Sequence, residues 1–375
     1  MNFSISPYQA DLIQNVQAFR ERHLSGLEWD KKVWEESANH GLLAMGLPNE
    51  LGGMNESFID MTLLLETLGN SRNSGMVFSM CAQLSACSFA ILKYGSQEQK
   101  QKWLPKLGSG ESIAAHAMTE SYSGSNSFKM VSEAVRIDEG YVLNGEKVFI
   151  TNAPVADVFV CFAATNKSKG FFGGISCFLI PKDTPGLAVS PPQEKMGLAG
   201  SLMGTVSMSD VIVPENALIG KEGAGSHIFN HSILIERVLM GAFHLGATKR
   251  ILEETLTFVK QRTVGGDAIK NHQAVSHKLA DIKMSLESLR WYVYKLAVDL
   301  DNGHAKMEEA ASVKTLTSDL WVKSASDALQ IHGASGYMAE SHAQIWVRDS
   351  LASRLYSGSN EVLRNLIART LILDK

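Results

Sequence analysis

The hydrophobic period of this 375-residue chain changes twice along its length, and a fold of one structural class cannot accommodate both changes. From about residue 7 to 110, apolar residues recur at three- and four-residue spacing through YQADLIQNVQAFRERHL, WDKKVWEESANHGLLAMGL and SFIDMTLLLETLGN, broken by glycines and Pro48. That spacing predicts helices. From Ser112 to about Gly220 the pattern becomes short β-rich runs, SEAVRI, YVLNG, KVFITNA, DVFVCFAAT, ISCFLIPK and TVSMSDVIVP, separated by Asp138-Glu139-Gly140, Asn144-Gly145 and Pro185-Gly186. Strands so spaced, with no helices between them, predict a barrel or sandwich rather than a βαβ sheet. After Gly225 the helical period returns in segments long enough to pack as an antiparallel bundle. The expected architecture is mostly α with a central β domain: an N-terminal helical domain (residues 1–111), a middle β domain (112–222) and a C-terminal helical bundle (223–375).

Composition narrows the partners. Thirty-five Lys plus Arg against 39 Asp plus Glu leave a formal charge of −4, so no basic field is present to hold nucleic-acid phosphates. Cys81, Cys87, Cys161 and Cys177 lie in apolar surroundings without C-x-x-C spacing, which predicts reduced buried thiols in a cytoplasmic protein and no metal site. The start, MNFSISPYQADLIQ, lacks the basic-then-apolar pattern of a secretory signal. Gly75 to Leu92 is long enough to suggest a membrane span. Gln83 and three serines interrupt it, however, and its small residues suit a buried soluble helix.

Four groups of residues bear chemistry. Glu236 lies in Ile233-Leu234-Ile235-Glu236-Arg237-Val238-Leu239-Met240, a run apolar all round a helix, where an ionised carboxylate costs several kcal/mol unless it is paired or functional. Arg237 is no natural partner, because adjacent helical residues point about 100° apart. The stretch Ala117-Met118-Thr119-Glu120-Ser121-Tyr122-Ser123-Gly124-Ser125-Asn126 falls at a helix-to-strand change and is rich in hydroxyls and small residues that let a planar ligand approach backbone. Val148-Phe149-Ile150-Thr151-Asn152-Ala153 reads, without context, as a half-buried strand ending in a turn. Near the C-terminus, Gln330-Ile331-His332-Gly333-Ala334-Ser335-Gly336-Tyr337 and Leu355-Tyr356-Ser357-Gly358-Ser359-Asn360-Glu361 place glycines in helical surroundings, which implies close approach of backbone to a ligand or to a neighbouring helix. No G-x-S-x-G elbow and no G-x-G-x-x-G fingerprint occur, so neither a hydrolase triad nor a Rossmann domain is expected.

Taken in order, AMTESYSGS, YVLNGEKVFITNA, VIVPENALIG, QRTVGG with NHQAVSHKLADI, ALQIHGASGY and LYSGSNEVLRNLIAR resemble the acyl-CoA dehydrogenase family over nearly the whole chain. The resemblance implies a four-helix C-terminal bundle, noncovalent FAD and a homodimer or homotetramer. It implies that Met118 and Thr119 contact the flavin edge, that Ser125 serves the cofactor and pantetheine side, and that Thr151 lies near flavin N5. Phe149 stands where the family usually has a tryptophan against the ring. Arg262 and Gln273 resemble the pair that reaches the FAD of a neighbouring subunit, although Val264 replaces the customary phenylalanine. Gln330 and Gly333 resemble the cradle for the ADP part, and Ser359 stands for the family's threonine.

The departures bear on mechanism. Many members carry the catalytic glutamate directly after the tyrosine of Y-E-G-T, and here that position is Ser357, after Tyr356. Isovaleryl- and long-chain-type members instead carry the base on a bundle helix before an arginine, the place of Glu236 and Arg237. The resemblance thus implies α,β-dehydrogenation of an acyl thioester. Glu236 removes the α-proton, the Ser357 backbone N–H supports the enolate oxygen, flavin N5 accepts the β-hydride, and Arg237 and Tyr356 lie on the substrate side. An electron-transfer flavoprotein is the expected acceptor. Leu234 replaces an aspartate, and Ala199 an arginine, that CoA-using relatives commonly have, so an acyl carrier protein stands beside CoA as the thioester carrier. Two other readings are a flavin monooxygenase or oxidase on this fold and a non-enzymatic flavoprotein.

Overall fold

The structure, a computed structural model, describes residues 5–126 and 129–373. Helices fill its first third: α1 Pro7–His23, α2 Lys31–Asn39, α3 Phe58–Gly69, α4 Ser74–Ala82, a π-helical turn Gln83–Ser88, α5 Phe89–Tyr94 and α6 Gln97–Gly108. Ser6 and Ser96 start α1 and α6 as reciprocal capping boxes with Gln9 and Gln99. The stretch Ser74–Tyr94 is long and apolar enough to cross a membrane, yet 83% of its most apolar window is buried inside the protein, as expected for a core helix. At its π turn the Gln83 amide donates to Leu107 O and accepts from Ala114 N–H, tying α6 to the first strand.

The middle of the chain forms one eight-stranded mixed sheet. Its strands are β1 Ala114–Ala117, β2 Glu133–Ile137, β3 Gly140–Thr151, β4 Val158–Ala164, β5 Ile175–Pro181 after the short turn α7 Phe171–Gly174, β6 Leu187–Val189, β7 Met203–Pro214 and β8 Leu218–Ile219. The order is β6-β7-β3-β2-β4-β5-β8, with β1 parallel to β4. Every residue of β4 is buried, because both faces are covered. Val158, Val160 and Phe162 pack with Ala90 and Ile91 of α5 and Leu104 and Leu107 of α6, whereas Phe159, Cys161 and Ala163 pack within the β domain. All four cysteines are free and buried.

The last part is helical: α8 Gly225–Gln261, a hairpin of β9 Thr263–Val264 and β10 Asp267–Ala268, α9 Gln273–Asp301, α10 Met307–His332, the short α11 Ala334–Tyr337, α12 His342–Ala352 and α13 Asn360–Leu373. The 37-residue α8 is central, and glycine is what seats it. A Cβ on Gly246 would stand 2.1 Å from Glu66 O, and one on Gly69 2.4 Å from Phe243 O, so the α3 and α8 backbones touch only because both side chains are hydrogen. The α8 residues Ile235, Val238, Leu239, Met240 and Phe243 then share one core with Leu64, Leu65 and Leu68 of α3, Met76 and Met80 of α4 and Trp321 of α10. Burial of several such side chains, each worth about 1.5–3 kcal/mol, fixes the rotation of α8 and hence where Glu236 points.

Candidate active site

Glu236 is partly buried at the edge of this core, and its carboxylate accepts the hydroxyl hydrogen of Ser357, 121 residues away. Burial raises the Glu236 pKa above the ordinary carboxylate value; the Ser357 hydroxyl and the charges of Arg237 and Lys314 act against that rise. The next residue, Arg237, is buried and donates from Nε to the Ser357 carbonyl at 3.1 Å. Two neighbours that diverge on the helix therefore meet the same residue, one through its side chain and one through its backbone. Burial lowers the Arg237 guanidinium to about 10, with Glu236 opposing.

Ser357 itself adopts φ +56°, a left-handed conformation that costs a non-glycine residue of order 1 kcal/mol. Gly358 follows at φ +88°, where a Cβ would lie 3.3 Å from Arg237 Nη2 and 3.2 Å from Leu363. Two buried cations hold this strained pair. Arg237 grips the first carbonyl, and Lys314 of α10 donates to the second, Gly358 O, at 2.8 Å and to Asn360 Oδ1 at 3.0 Å. No described residue accepts the Ser357 backbone N–H, which leaves it available as a donor.

Tyr356 precedes the loop. Its hydroxyl meets His244 Nε2 at 2.7 Å, its ring lies 4.5 Å from that of Phe78 on α4, and His244 Nδ1 meets Thr317 Oγ1 at 3.0 Å. Burial drives the His244 pKa well down, so this imidazole is neutral. Arg237 and Tyr356, both expected on the substrate side, make protein contacts here with Ser357 O and His244 Nε2. Their contacts build the loop that faces Glu236.

A second group assembles at the mouth of the β domain. Val148 N–H donates to Thr119 O at 2.9 Å, and the fully buried Lys147 donates to Met118 O at 3.2 Å and to Glu120 at 2.7 Å. Glu120 also accepts the backbone N–H groups of Val131 and Ser132. Thus the Met118–Thr119 backbone is locked to β3. The β3–β7 register slips between Lys147 and Ile150, and in that bulge Phe149 takes φ +58° and stands 63% exposed. Thr151 ends the strand half-buried, and Asn152 turns its amide N–H donors to Ser79 O and Ala114 O. The Asn152 Oδ1 and Ser123 Oγ atoms are buried without a partner among the described residues. Ser125 is exposed on the same loop, one residue past Gly124. Helix α4 links the two groups, since its Ser79 meets Asn152 and its Phe78 meets Tyr356.

The remaining expected residues lie elsewhere in this chain. Arg262, Gln273, Gln330 and Gly333 are all exposed, and all sit at one end of the bundle, where Phe258 of α8 stacks on His332 of α10 at 4.1 Å and Lys278 of α9 pairs with Asp327 of α10. Ser359 lies half-buried at the start of α13, nearer the Ser357 loop. The sequence reading missed Lys314, Asn360 and the Lys147–Glu120 pair. Lys314 had a usable signal: it interrupts an otherwise apolar and small helical run, Ala310-Ala311-Ser312-Val313-Lys314-Thr315-Leu316, by the same logic that singled out Glu236.

A helical domain, a mixed sheet and a helical bundle follow one another along the chain, with a partly buried carboxylate on a bundle helix facing the Ser357 loop. Family models for the acyl-CoA dehydrogenase N-terminal, middle and C-terminal domains match residues 7–111, 115–211 and 223–372. The chain belongs to the acyl-CoA dehydrogenase family. It is 35% identical over 380 residues, covering 99% of this chain and 98% of the relative, to L-prolyl-[peptidyl-carrier protein] dehydrogenase of Serratia sp. (strain ATCC 39006). Among solved structures, PigA with FAD and proline superposes with a TM-score of 0.96 at 35% identity, covering all of both chains. Butyryl-CoA dehydrogenase from Megasphaera elsdenii superposes with a TM-score of 0.95 at 30% identity, covering 99% of this chain and 100% of that one.

Proposed function

We propose that this protein is an FAD-dependent dehydrogenase that introduces a double bond between the α and β carbons of an acyl thioester. The residues present fit the cofactor. An aromatic side chain is held out by a strained bulge at Phe149, the Met118–Thr119 backbone is fixed by a buried ion pair, and partnerless buried oxygens at Asn152 and Ser123 line the same region. When bound, FAD supplies one thing to the chemistry, an acceptor for the β-hydrogen and its electron pair.

The chain supplies the rest. A thioester α-proton is too weakly acidic for a carboxylate unless the oxygen that gains charge meets preorganised donors. The Ser357 N–H is such a donor, fixed by the cations on the two carbonyls that follow it. Glu236 takes the proton at its carboxylate oxygen. Its pKa, raised by desolvation, brings its basicity nearer to that of a base working near neutrality, and the Ser357 hydroxyl fixes the direction of the carboxylate. Ile235 and Val238, apolar α8 neighbours of Glu236 in the core, limit the access of water to the exchange. One observation carries this reading: the junction of α8 and the Ser357 loop sets a base and a free N–H donor side by side.

The thioester is carried by the phosphopantetheine arm of a carrier protein. Leu234 and Ala199 offer no polar contact where CoA-using relatives have an aspartate and an arginine, and a carrier-protein dehydrogenase is similar over nearly the full length of this chain. Exposed Arg262, Gln273, Gln330 and Gly333 at one bundle end support a homodimer or homotetramer in which they meet the FAD of a neighbouring subunit. Domains divide at 111/112 and 222/223, and an electron-transfer flavoprotein in the cytoplasm reoxidises the enzyme. Anaerobic mixing of the FAD-loaded protein with acyl-carrier and acyl-CoA thioesters tests this. Loss of visible flavin absorbance with a carrier-bound acyl group supports the reading; bleaching only by reduced nicotinamide supports a monooxygenase instead.

A further inference from the structure

Lys314 is fully buried on α10, yet no described carboxylate pairs with it. Its two acceptors, Gly358 O and Asn360 Oδ1, are neutral, and the Tyr356 ring lies 5.8 Å from the ammonium. A second buried cation, Arg237, is close enough to oppose its charge. Burial of a cation without an ion-pair partner is costly, so a fold retains one where its hydrogen bonds do something a neutral side chain would not.

What these bonds hold is specific. The Ser357 and Gly358 carbonyls are taken by Arg237 and Lys314 respectively, one cation per carbonyl, across two successive left-handed residues. Asn360 extends the anchor, because its amide donates to Ser318 Oγ and Asp319 Oδ1 of α10 while its oxygen accepts from Lys314. With Lys314 removed, Arg237 would be the one cation left on the carbonyls of a backbone conformation that costs of order 1 kcal/mol to maintain.

We propose that Lys314 is a positioning residue for the dehydrogenation: by pinning the Gly358 carbonyl it fixes Ser357 so that the hydroxyl meets Glu236 while the N–H stays free for the thioester oxygen. The inference rests on the function proposed above. Its charge acts on the base as well. The groups around it are Glu236, Arg237 and His244 of α8, Tyr356 of the loop, Asp319 of α10 and Glu361 of α13. Burial, then Arg237, pushes the Lys314 ammonium down to about 7, and Glu236, Asp319 and Glu361 oppose this. Near neutrality the anchor is therefore close to losing its proton.

The test compares Lys314→Met, Lys314→Gln and Lys314→Arg with the parent, all FAD-loaded. Hydrogen exchange of the peptide spanning residues 353–360 reads the loop without needing a substrate. Lys314→Met is expected to speed that exchange about tenfold or more, a loss of local protection of the size a buried charged hydrogen bond provides. Its kcat falls about 10- to 100-fold with KM changed less than about threefold, since the loop acts on the transition state rather than on ground-state binding. The acidic limb of its kcat–pH profile moves to higher pH, because a cation that favours ionised Glu236 is gone. Lys314→Arg keeps the charge, so the limb stays in place and part of the protection returns. If Lys314→Met does not fold, Lys314→Gln, which keeps a donor but no charge, carries the same comparison. A folded neutral variant with parental exchange, kcat and pH limb overturns the proposal. If no thioester bleaches even the parent, the functional reading fails, and the exchange data still decide whether Lys314 holds the loop.

Discussion

The Ser357 hydroxyl donates to the Glu236 carboxylate across 121 residues of chain, while the Ser357 carbonyl is held by Arg237, the residue next to that glutamate. One residue therefore touches the base with its side chain and carries the free N–H on its backbone. On the function proposed above, position 357, where many family members place a glutamate, takes part in proton transfer through a hydroxyl. Ser357→Ala keeps the N–H and removes the bond that lowers the Glu236 pKa. Because the base works only when ionised, the acidic limb of the kcat–pH profile is expected to move to higher pH. Flavin reduction by thioester at neutral pH is expected to fall about 3- to 30-fold, the worth of one charge-assisted hydrogen bond. Stopped-flow reduction across a pH series checks this, and an unmoved limb refutes it.

Glu236→Gln removes the base and keeps its shape. FAD binding is expected to persist, with thioester-driven flavin reduction lowered by about two to four orders of magnitude. The same variant tests the burial of the carboxylate through stability. A carboxyl whose folded pKa is raised above its unfolded value, about 4.3, costs nothing below that value. The cost grows as pH rises from there to the folded pKa and stays constant above it. Glu236→Gln is therefore expected to gain stability relative to the parent as pH rises through this window, read as a growing difference in Tm. A difference independent of pH means the carboxylate is not desolvated.

Lys147 and Glu120 form a buried ion pair at 2.7 Å beneath the Met118–Thr119 backbone. Lys147→Met leaves a buried carboxylate with backbone N–H donors but no counter-charge, and is expected to cost about 3–5 kcal/mol in denaturant unfolding. Weaker FAD retention follows, because the backbone of Met118 loses its anchor. The double variant Lys147→Met with Glu120→Leu is expected to recover much of the stability without recovering FAD affinity, which separates the loss of charge balance from the loss of the anchor.

How much of this was legible from residues alone depends on the range of the contact that matters. The alternation of period along the chain is a local property, so the helical, β and helical parts follow from it directly. Glu236 was visible because an acid in an apolar helical run is anomalous within eight residues. The role of the Ser357 hydroxyl was not, since it depends on a partner 121 residues away, and neither was the Tyr356–His244 bond, 112 residues apart. The resemblance sets Arg237 and Tyr356 on the substrate side, and the protein groups that also engage them, Ser357 O and His244 Nε2, lie 120 and 112 residues away. Without context Phe149 reads as an ordinary strand residue, and only the resemblance sets it against the flavin ring. Its exposure comes from a register slip against β7, which no propensity of KVFITNA encodes.

Arg262 and Gln273 offer the clearest separation between what a single chain needs and what the assembly needs. Arg262 is exposed at the end of α8; its carbonyl accepts from Ile269 N–H, but its guanidinium meets no described residue. Gln273 begins α9 in the same exposed corner. Surface side chains without partners change the stability of a subunit by no more than about 0.5 kcal/mol when truncated. If they contact the FAD of a neighbouring subunit, the effect must appear in cofactor affinity and in assembly instead. Arg262→Ala and Gln273→Ala are accordingly expected to leave the helical circular dichroism and the unfolding midpoint of the apoprotein unchanged. Each is expected to weaken FAD binding about 10-fold or more, the scale of a charged or bidentate contact to a phosphate-bearing ligand. Ultrafiltration measures the affinity, and sedimentation with and without FAD measures the oligomer. Unchanged affinity in both variants would leave this end of the bundle as plain solvent-facing surface and remove the cross-subunit cofactor contact from the model of the assembly.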